Sequence, residues 1–485
     1  MAESQQTMTE SSNLNRRSFL GQSAAGLGSV ALANLLQPEL FAETQPSAVA
    51  NVPGVAGLPH HLPRIKRVIF LYMSGGPSQF ETFDHKPLLA EMDGQPMPES
   101  FTKGQPIAQL QGQALKCLGP QTTFRKYGQS GQEFSDFLPW TARLADDIAI
   151  IRSMTTDQIN HDPAHTVMNT GTSISGRPSL GAWVQYGLGS ESQDLPGFVV
   201  LTSQGGRNPQ PLSSRQWHSG FLPSRFQGME FSSTGDPVHY VRNPAGVTTE
   251  RQRRLIDTVT ELNGLRNEEV QNPEVETRIA AYEMAFRMQA SVPGLMDISD
   301  EPQHVLDMYG TEGADGSFAA NCLLARRLAE RGVRFIQLYH RGWDHHNDLV
   351  PFMTTCCGLT DKSTWALITD LKRRGMLDDT LIIWGGEFGR TPMFQGKGQY
   401  PGRDHHIKSM SMWLCGGGIR GGLTLGATDD LGYHAVQDIC HVRDLHATLL
   451  HLLGIDHRKL AFKYQGLDFR LTGVLPAKVI HGIIA

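Results

Sequence analysis

Between residues 64 and 485 the chain alternates short apolar runs with amphipathic stretches, and most apolar runs end in glycine or a cluster of polar residues. Arg67 to Met73 (RVIFLYM) is an unbroken apolar run closed by Ser74-Gly75-Gly76-Pro77. This pattern predicts a strand buried on both faces that enters a glycine-rich loop. Ile148 to Ile151 and Pro196 to Leu201 predict two more strands, and Phe134 to Leu144 predicts a helix. In the last third the pattern predicts helix Phe318–Arg331, strand Val333–Tyr339, helix Thr364–Arg374 and strand Thr380–Trp384. An apolar run Ser409–Cys415 and a helix Val442–Leu453 follow. Strands alternating with helices call for a mostly parallel sheet covered on both faces, with chemistry at the carboxyl ends of its strands.

Two stretches depart from this rhythm. Residues 203–247 are rich in Gly, Pro, Ser and Arg and lack periodicity, which predicts a long irregular insertion or lid. Arg251 to Met288 reads as helical, with an apolar stripe through Ile279, Tyr282 and Phe286 that serves core packing. Upstream, Asn15-Arg16-Arg17-Ser18-Phe19-Leu20 precedes a weakly apolar run of small residues, Gly21 to Leu36. Twin arginines in that setting mark residues 1–50 as a Tat export signal, with cleavage after Ala50 or Ala42. The expectation is therefore export through the Tat translocase to the periplasm or beyond. A single domain over residues 51–485 follows, with no stable membrane span, since no other run approaches about 20 strongly apolar residues.

Composition narrows the picture. With 39% hydrophobic residues and a formal charge of -5, and with Lys and Arg dispersed, the chain reads as an ordinary globular protein without a nucleic-acid surface. Its six cysteines form no C-x-x-C pair, which argues against zinc–thiolate chemistry and leaves one or two disulfides open.

Candidate chemistry sits at predicted strand ends. His340-Arg341-Gly342-Trp343-Asp344-His345-His346 follows one strand, Gly385-Gly386-Glu387-Phe388-Gly389-Arg390 follows another, and Gly402-Arg403-Asp404-His405-His406 precedes the last apolar run. Carboxylates and imidazoles grouped there can hold a divalent ion, whether zinc, calcium or another. Each motif also has a plain structural alternative: Asp344 as a helix cap, Glu387 and Arg390 as a buried ion pair, Asp404-His405-His406 as an exposed turn. Asn160 to Gly171 (NHDPAHTVMNTG) places His161 and His165 one helical turn apart. Asp162 reads as its N-cap and Pro163 as its first residue, which leaves His161 beside an anion-favouring N-terminus.

At this point the sequence resembles a Tat-exported, sulfatase-like bacterial family known as domain of unknown function 1501, related to the alkaline phosphatase superfamily. The residues that carry the resemblance are VIFLYMSGGPSQFETFDHKP (68–87), NTG (169–171), YEMAFRMQ (282–289), GWDHH (342–346), GGEFGRTP (385–392), GRDHH (402–406) and DLHATLLHLLGID (444–456). The resemblance implies an alkaline-phosphatase-like three-layer α/β sandwich bearing one or two divalent ions. It also implies an exported, metal-dependent hydrolase of sulfate or phosphate esters, its substrate a small molecule or a glycan ester. The alternative is a non-catalytic member of the fold that binds an anionic glycan or a cell-surface partner. Matched position by position, Asp344, His346, Glu387 and His405 fall where metal ligands are expected, with Asp348 as another partner for the ion. His161 falls on the nucleophile position and His165 on that of an arginine, so both address the anion. His161, His165 and Arg390 are the catalytic candidates. The first strand ends without the superfamily's metal-binding aspartate, and Asp84 is the nearest replacement.

Overall fold

A computed structural model describes residues 54–485, except 239–242, 244–245, 271–272 and 397–399. The Tat signal expected at residues 1–50, with its cleavage sites, lies outside the described residues.

Among the described residues, nine strands form one sheet. In chain order they are β1 (Arg67–Ser74), β2 (Ile148–Thr155), β3 (Phe198–Ser203), β4 (Met229–Phe231), β5 (Phe335–Arg341), β6 (Thr380–Gly385), β7 (Met410–Gly416), β8 (Leu423–Leu425) and β9 (Cys440–His441). The spatial order is β8-β2-β7-β6-β1-β5-β3-β4, with β9 also paired to β2. Every pairing is parallel except those of β7, which runs antiparallel to β2 and β6.

Side chains along β1 alternate between two cores, as a strand's period of two requires. Ile69, Leu71 and Met73 pack on one face, and Val68, Phe70 and Tyr72 on the other. The main helices are α1 (His161–Thr170), α2 (Leu180–Leu188), α3 (Thr249–Val270), α4 (Pro273–Met296), α5 (Phe318–Glu330), α6 (Leu349–Arg373) and α7 (Val442–Leu452). Leu323 of α5 and Met353 of α6 belong to the first core, whereas Val167 of α1, Trp183 of α2 and Leu445 of α7 belong to the second. The result is the expected three-layer α/β architecture with helices on both faces of a mostly parallel sheet. Among the described residues, no helix is long and apolar enough to cross a membrane. All six cysteines are buried and free.

Local expectations fail where tertiary contacts override the pattern. Residues 134–144 are not a helix: strand Gln132–Ser135 is followed by a 3-10 turn, Thr141–Leu144. Pro139 cannot donate in a helix, and the Asp361 carboxylate takes the N–H groups of Trp140 and Thr141 at 2.7 and 2.8 Å. The stretch 251–288, expected to be helical, forms two helices, α3 and α4, and Pro273 opens the second, where its missing N–H costs nothing. The helix expected at 364–374 already begins at Leu349. Within 203–247 the backbone is mostly irregular, yet β4 joins the sheet beside β3.

Candidate metal centre

The site lies beyond the carboxyl ends of the parallel strands, where the loops after β1, β5 and β6 converge. Gly75 is central to that convergence. Its φ of +125° lies in the region that favours glycine, and a Cβ there would sit 2.5 Å from the Asp344 backbone nitrogen. Only glycine lets the β1 loop lie this close to the segment that carries Asp344. From the other side comes α1, whose start differs from expectation. Asn160, not Asp162, is the N-cap residue, so His161 occupies the first helical position. Asp162 instead pairs at the surface with Arg215 at 2.8 Å. Gly171, at φ 77°, ends the helix.

His161, His165, Asp344, His346, Glu387, Arg390 and His405 all gather here. The Asp344 Oδ1 atom is the hub. It lies 3.0 Å from His346 Nε2, 3.1 Å from His405 Nε2, 3.3 Å from His161 Nε2 and 2.7 Å from Arg390 Nη2. Asp344 Oδ2 accepts from the Gln210 amide at 2.8 Å, so the irregular insertion contributes to the site. The His161 Nε2 atom is buried and has no aligned hydrogen bond, although Asp344 is within ion-contact distance. Behind the hub, Glu387 is fully buried. It accepts from His161 Nδ1 at 2.8 Å and from the Gly75 N–H at 3.0 and 3.2 Å.

Arg390 and Glu387 do not pair with each other. Arg390 is fully buried and donates to Asp344, to the carbonyls of Gly75 and Gly76, to Trp343 O at 3.2 Å and to Arg403 O at 3.0 Å. Its guanidinium therefore ties the three loops together. His165 is also buried, with Nδ1 2.8 Å from the Tyr72 hydroxyl and Nε2 3.3 Å from Ser74 Oγ. Phe388 packs on the rings of His161 and His405, at centroid distances of 5.0 and 4.3 Å.

Two residues considered from the sequence lie elsewhere. Asp84 is buried against Lys86 and Thr428, at 3.2 and 2.6 Å. Asp348 is the N-cap residue of α6 and is absent from the histidine–carboxylate cluster. Asp404-His405-His406 is no exposed turn: all three residues are buried, and Asp404 accepts the N–H groups of Gln109 and Leu110 at 2.6 and 2.9 Å. Sequence reasoning missed Gln109, Gln210 and Gln395, because no local motif marks a residue that joins a site from a distant loop, and it read Tyr72 and Ser74 only as the strand and the loop that closes it.

The charges follow from these contacts. Burial alone would raise the Asp344 carboxyl; Arg390 and the three imidazoles outweigh it and hold Asp344 well below the usual carboxylate range. For His161, burial opposes the charge, but contacts with Asp344 and Glu387 win and raise its pKa to about 9. Burial likewise opposes charge on Glu387, yet His165 and His161 bring it down to about 2. Burial pushes His405 down to about 4 despite Asp344.

Among the described residues, two groups have donor atoms spaced to hold a metal ion: His161, Asp344, His346 and His405, and His161, His165 and Glu387. Three imidazoles and a carboxylate suit zinc or another transition ion better than calcium, which prefers oxygen. The unbonded, buried Nε2 of His161 fits such an ion.

Fold and site together define a three-layer α/β protein with a candidate metal centre at the carboxyl edge of its sheet. The chain belongs to the family described as "Protein of unknown function (DUF1501)", whose model matches residues 65–484. No curated protein matches it in sequence. Among solved structures, a phosphonate monoester hydrolase, SpPMH from Silicibacter pomeroyi, aligns at 11% identity and TM-score 0.31, over 80% of this chain and 73% of that one. PsFucS1 sulfatase from Pseudoalteromonas sp. aligns at 12% and TM-score 0.34, over 81% and 68%. A mutant TAB5 alkaline phosphatase with Mg bound aligns at 10% and TM-score 0.34, over 81% and 99%.

Proposed function

We propose that the chain is an exported, metal-dependent hydrolase of phosphate or sulfate esters. The observation that carries this reading is the convergence of three imidazole Nε2 atoms on Asp344 Oδ1 at 3.0–3.3 Å. Asp344, His346, His405 and His161 would hold the ion, whose coordination can expand to five when substrate binds. A divalent ion there neutralises the oxygens of a bound ester. The substrate reaches the site where the side chains of His161 and His346 are 17% and 19% exposed, beside the amide of Gln109, which lies 3.2 Å from His346. Arg390 sets the charge and place of Asp344 from behind and, being wholly buried, touches no substrate. His165, which the sequence matched to an anion-binding position, supports Tyr72 and Ser74 from a wholly buried position. Water is the attacking group in this reading, since Ser74 is fully buried and out of reach of a substrate.

A second reading has its own support. His161, His346, His405 and Asp344 together make a four-donor set, and a site closed by four protein ligands is typical of structural ions. In that case the protein binds an anionic glycan or surface partner without turnover. One experiment separates the two. Protein folded in vivo is analysed for metals and assayed against p-nitrophenyl phosphate, bis-p-nitrophenyl phosphate and p-nitrophenyl sulfate. Bound metal with hydrolysis that Asp344→Ala abolishes is the expected result. Metal without hydrolysis of any ester favours the binding reading, and protein that neither holds metal nor turns over refutes the hydrolase.

A further inference from the structure

We infer that the centre holds one ion on four ligands, His161, His346, His405 and Asp344, and that Glu387 is not a ligand but the positioning residue for His161. This deepens the metal-site reading above and rests on it.

The inference follows from where each ring carries its proton. His405 Nδ1 lies 2.8 Å from the Ile159 carbonyl, which can only accept. His346 Nδ1 lies 2.6 Å from Gln395 Oε1. That amide also meets Gln109 at 2.9 Å, and Gln109 lies 3.2 Å from His346 Nε2, so the two amides fit either tautomer of His346. His161 Nδ1 lies 2.8 Å from the Glu387 carboxylate, again an acceptor. His405 and His161 therefore carry hydrogen on Nδ1 and present Nε2 to Asp344, and His346 does so in the same tautomer. Without a cation, the lone pair of His405 Nε2 would face those of Asp344 Oδ1 at 3.1 Å, and His161 meets that oxygen at 3.3 Å only by taking up a second proton. Bonds of about 2.0–2.1 Å to a tetrahedral ion set neighbouring ligand atoms roughly 3.3 Å apart, which matches that spacing.

Glu387 fills the orienting role that carboxylates take behind metal-bound histidines. It is fully buried, and its oxygens are already engaged by His161 and the Gly75 N–H. A second ion on His161, His165 and Glu387 conflicts with the same contacts. His161 Nδ1 meets Glu387 directly at 2.8 Å, and both nitrogens of His165 are occupied by Tyr72 and Ser74. The histidine aligned with a nucleophile position thus has both ring nitrogens committed and does not attack substrate.

The test loads the full chain with Co2+ and reads stoichiometry, the visible d–d spectrum and affinity by chelator competition. Expected are one ion per chain and the strong absorption of a tetrahedral site. Glu387→Gln keeps that spectrum while affinity falls about 10–100-fold. His161→Ala loses the tetrahedral spectrum. Should Glu387→Gln fail to fold, Glu387→Asp, which keeps a carboxylate but draws it back from His161 Nδ1, is expected to show the same split of weakened affinity and retained spectrum. Two ions per chain overturn the inference, as does a Glu387→Gln spectrum altered like that of His161→Ala, or an unchanged affinity. One ion with the predicted split but no ester hydrolysis removes only the hydrolase reading. Hydrolysis with two ions removes only the inference.

Discussion

Replacing Arg390 by methionine tests the claim that this residue holds the site together instead of binding substrate. Methionine fills part of the same volume without a charge. The substitution leaves Asp344 without its 2.7 Å partner and strips donors from the carbonyls of Gly75, Gly76, Trp343 and Arg403. Removing one member of a buried ion pair typically costs about 3–5 kcal/mol. Each stranded acceptor adds about 1–3 kcal/mol where water cannot reach it. These costs overlap, so about 3–5 kcal/mol is a lower bound. Unfolding entropy near 2.1 cal/mol/K per residue gives roughly 0.9 kcal/mol/K for the unit spanning residues 51–485. Tm should therefore fall by about 3–5 °C or more in thermal scans of the metal-free protein at pH 7. Arg390→Lys keeps a charge but not the planar fork, and should recover only part of the loss. A Tm for Arg390→Met within about 1 °C of the parent would falsify this account of Arg390.

Other consequences can be checked separately. In metal-free protein the raised His161 pKa contributes stability that is complete below about 6.5 and lost as pH rises through about 9. Its ring resonances should titrate near pH 9, and a midpoint below 7 would contradict the double carboxylate contact. Glu387 has the opposite sign: its contribution is present above about 4.5 and disappears as pH falls through about 2. Because His161 must give up a proton to bind an ion, Co2+ affinity should rise about tenfold per pH unit up to about pH 9; a flat profile across pH 6–9 would exclude His161 as a ligand. Gly75→Ala puts a Cβ 2.5 Å from Asp344 N and 2.6 Å from Trp343 C at a positive φ. It should lower Tm and metal content together, and normal metal content would show that the loop has room to move.

Much of this protein was legible in one dimension. The apolar run Val68–Met73 announced a strand covered on both faces, and it is the central β1, paired with β5 and β6. The polar motifs after β5 and β6 were legible for the same reason, since a parallel strand must stop where its backbone leaves the sheet. Local pattern was less reliable where a distant group intervened, as when Asp361 claimed the N–H groups at residues 140 and 141. It also misjudged the start of α1 by two residues, because Asn160 and Asp162 are both good caps and the chain entering from β2 chose between them.

By itself the sequence determined the layered α/β class and the four short motifs that supply the histidines and carboxylates of the site, because strand and helix periodicities and the turn residues between them are local properties. Only the tertiary structure decided the partners. His161 and Glu387 are 226 residues apart, and Arg390 reaches back 315 residues to the Gly75 carbonyl. Hydrogen-bond direction decides which nitrogen of each histidine keeps its proton, and that direction exists only once the loops have closed around Asp344.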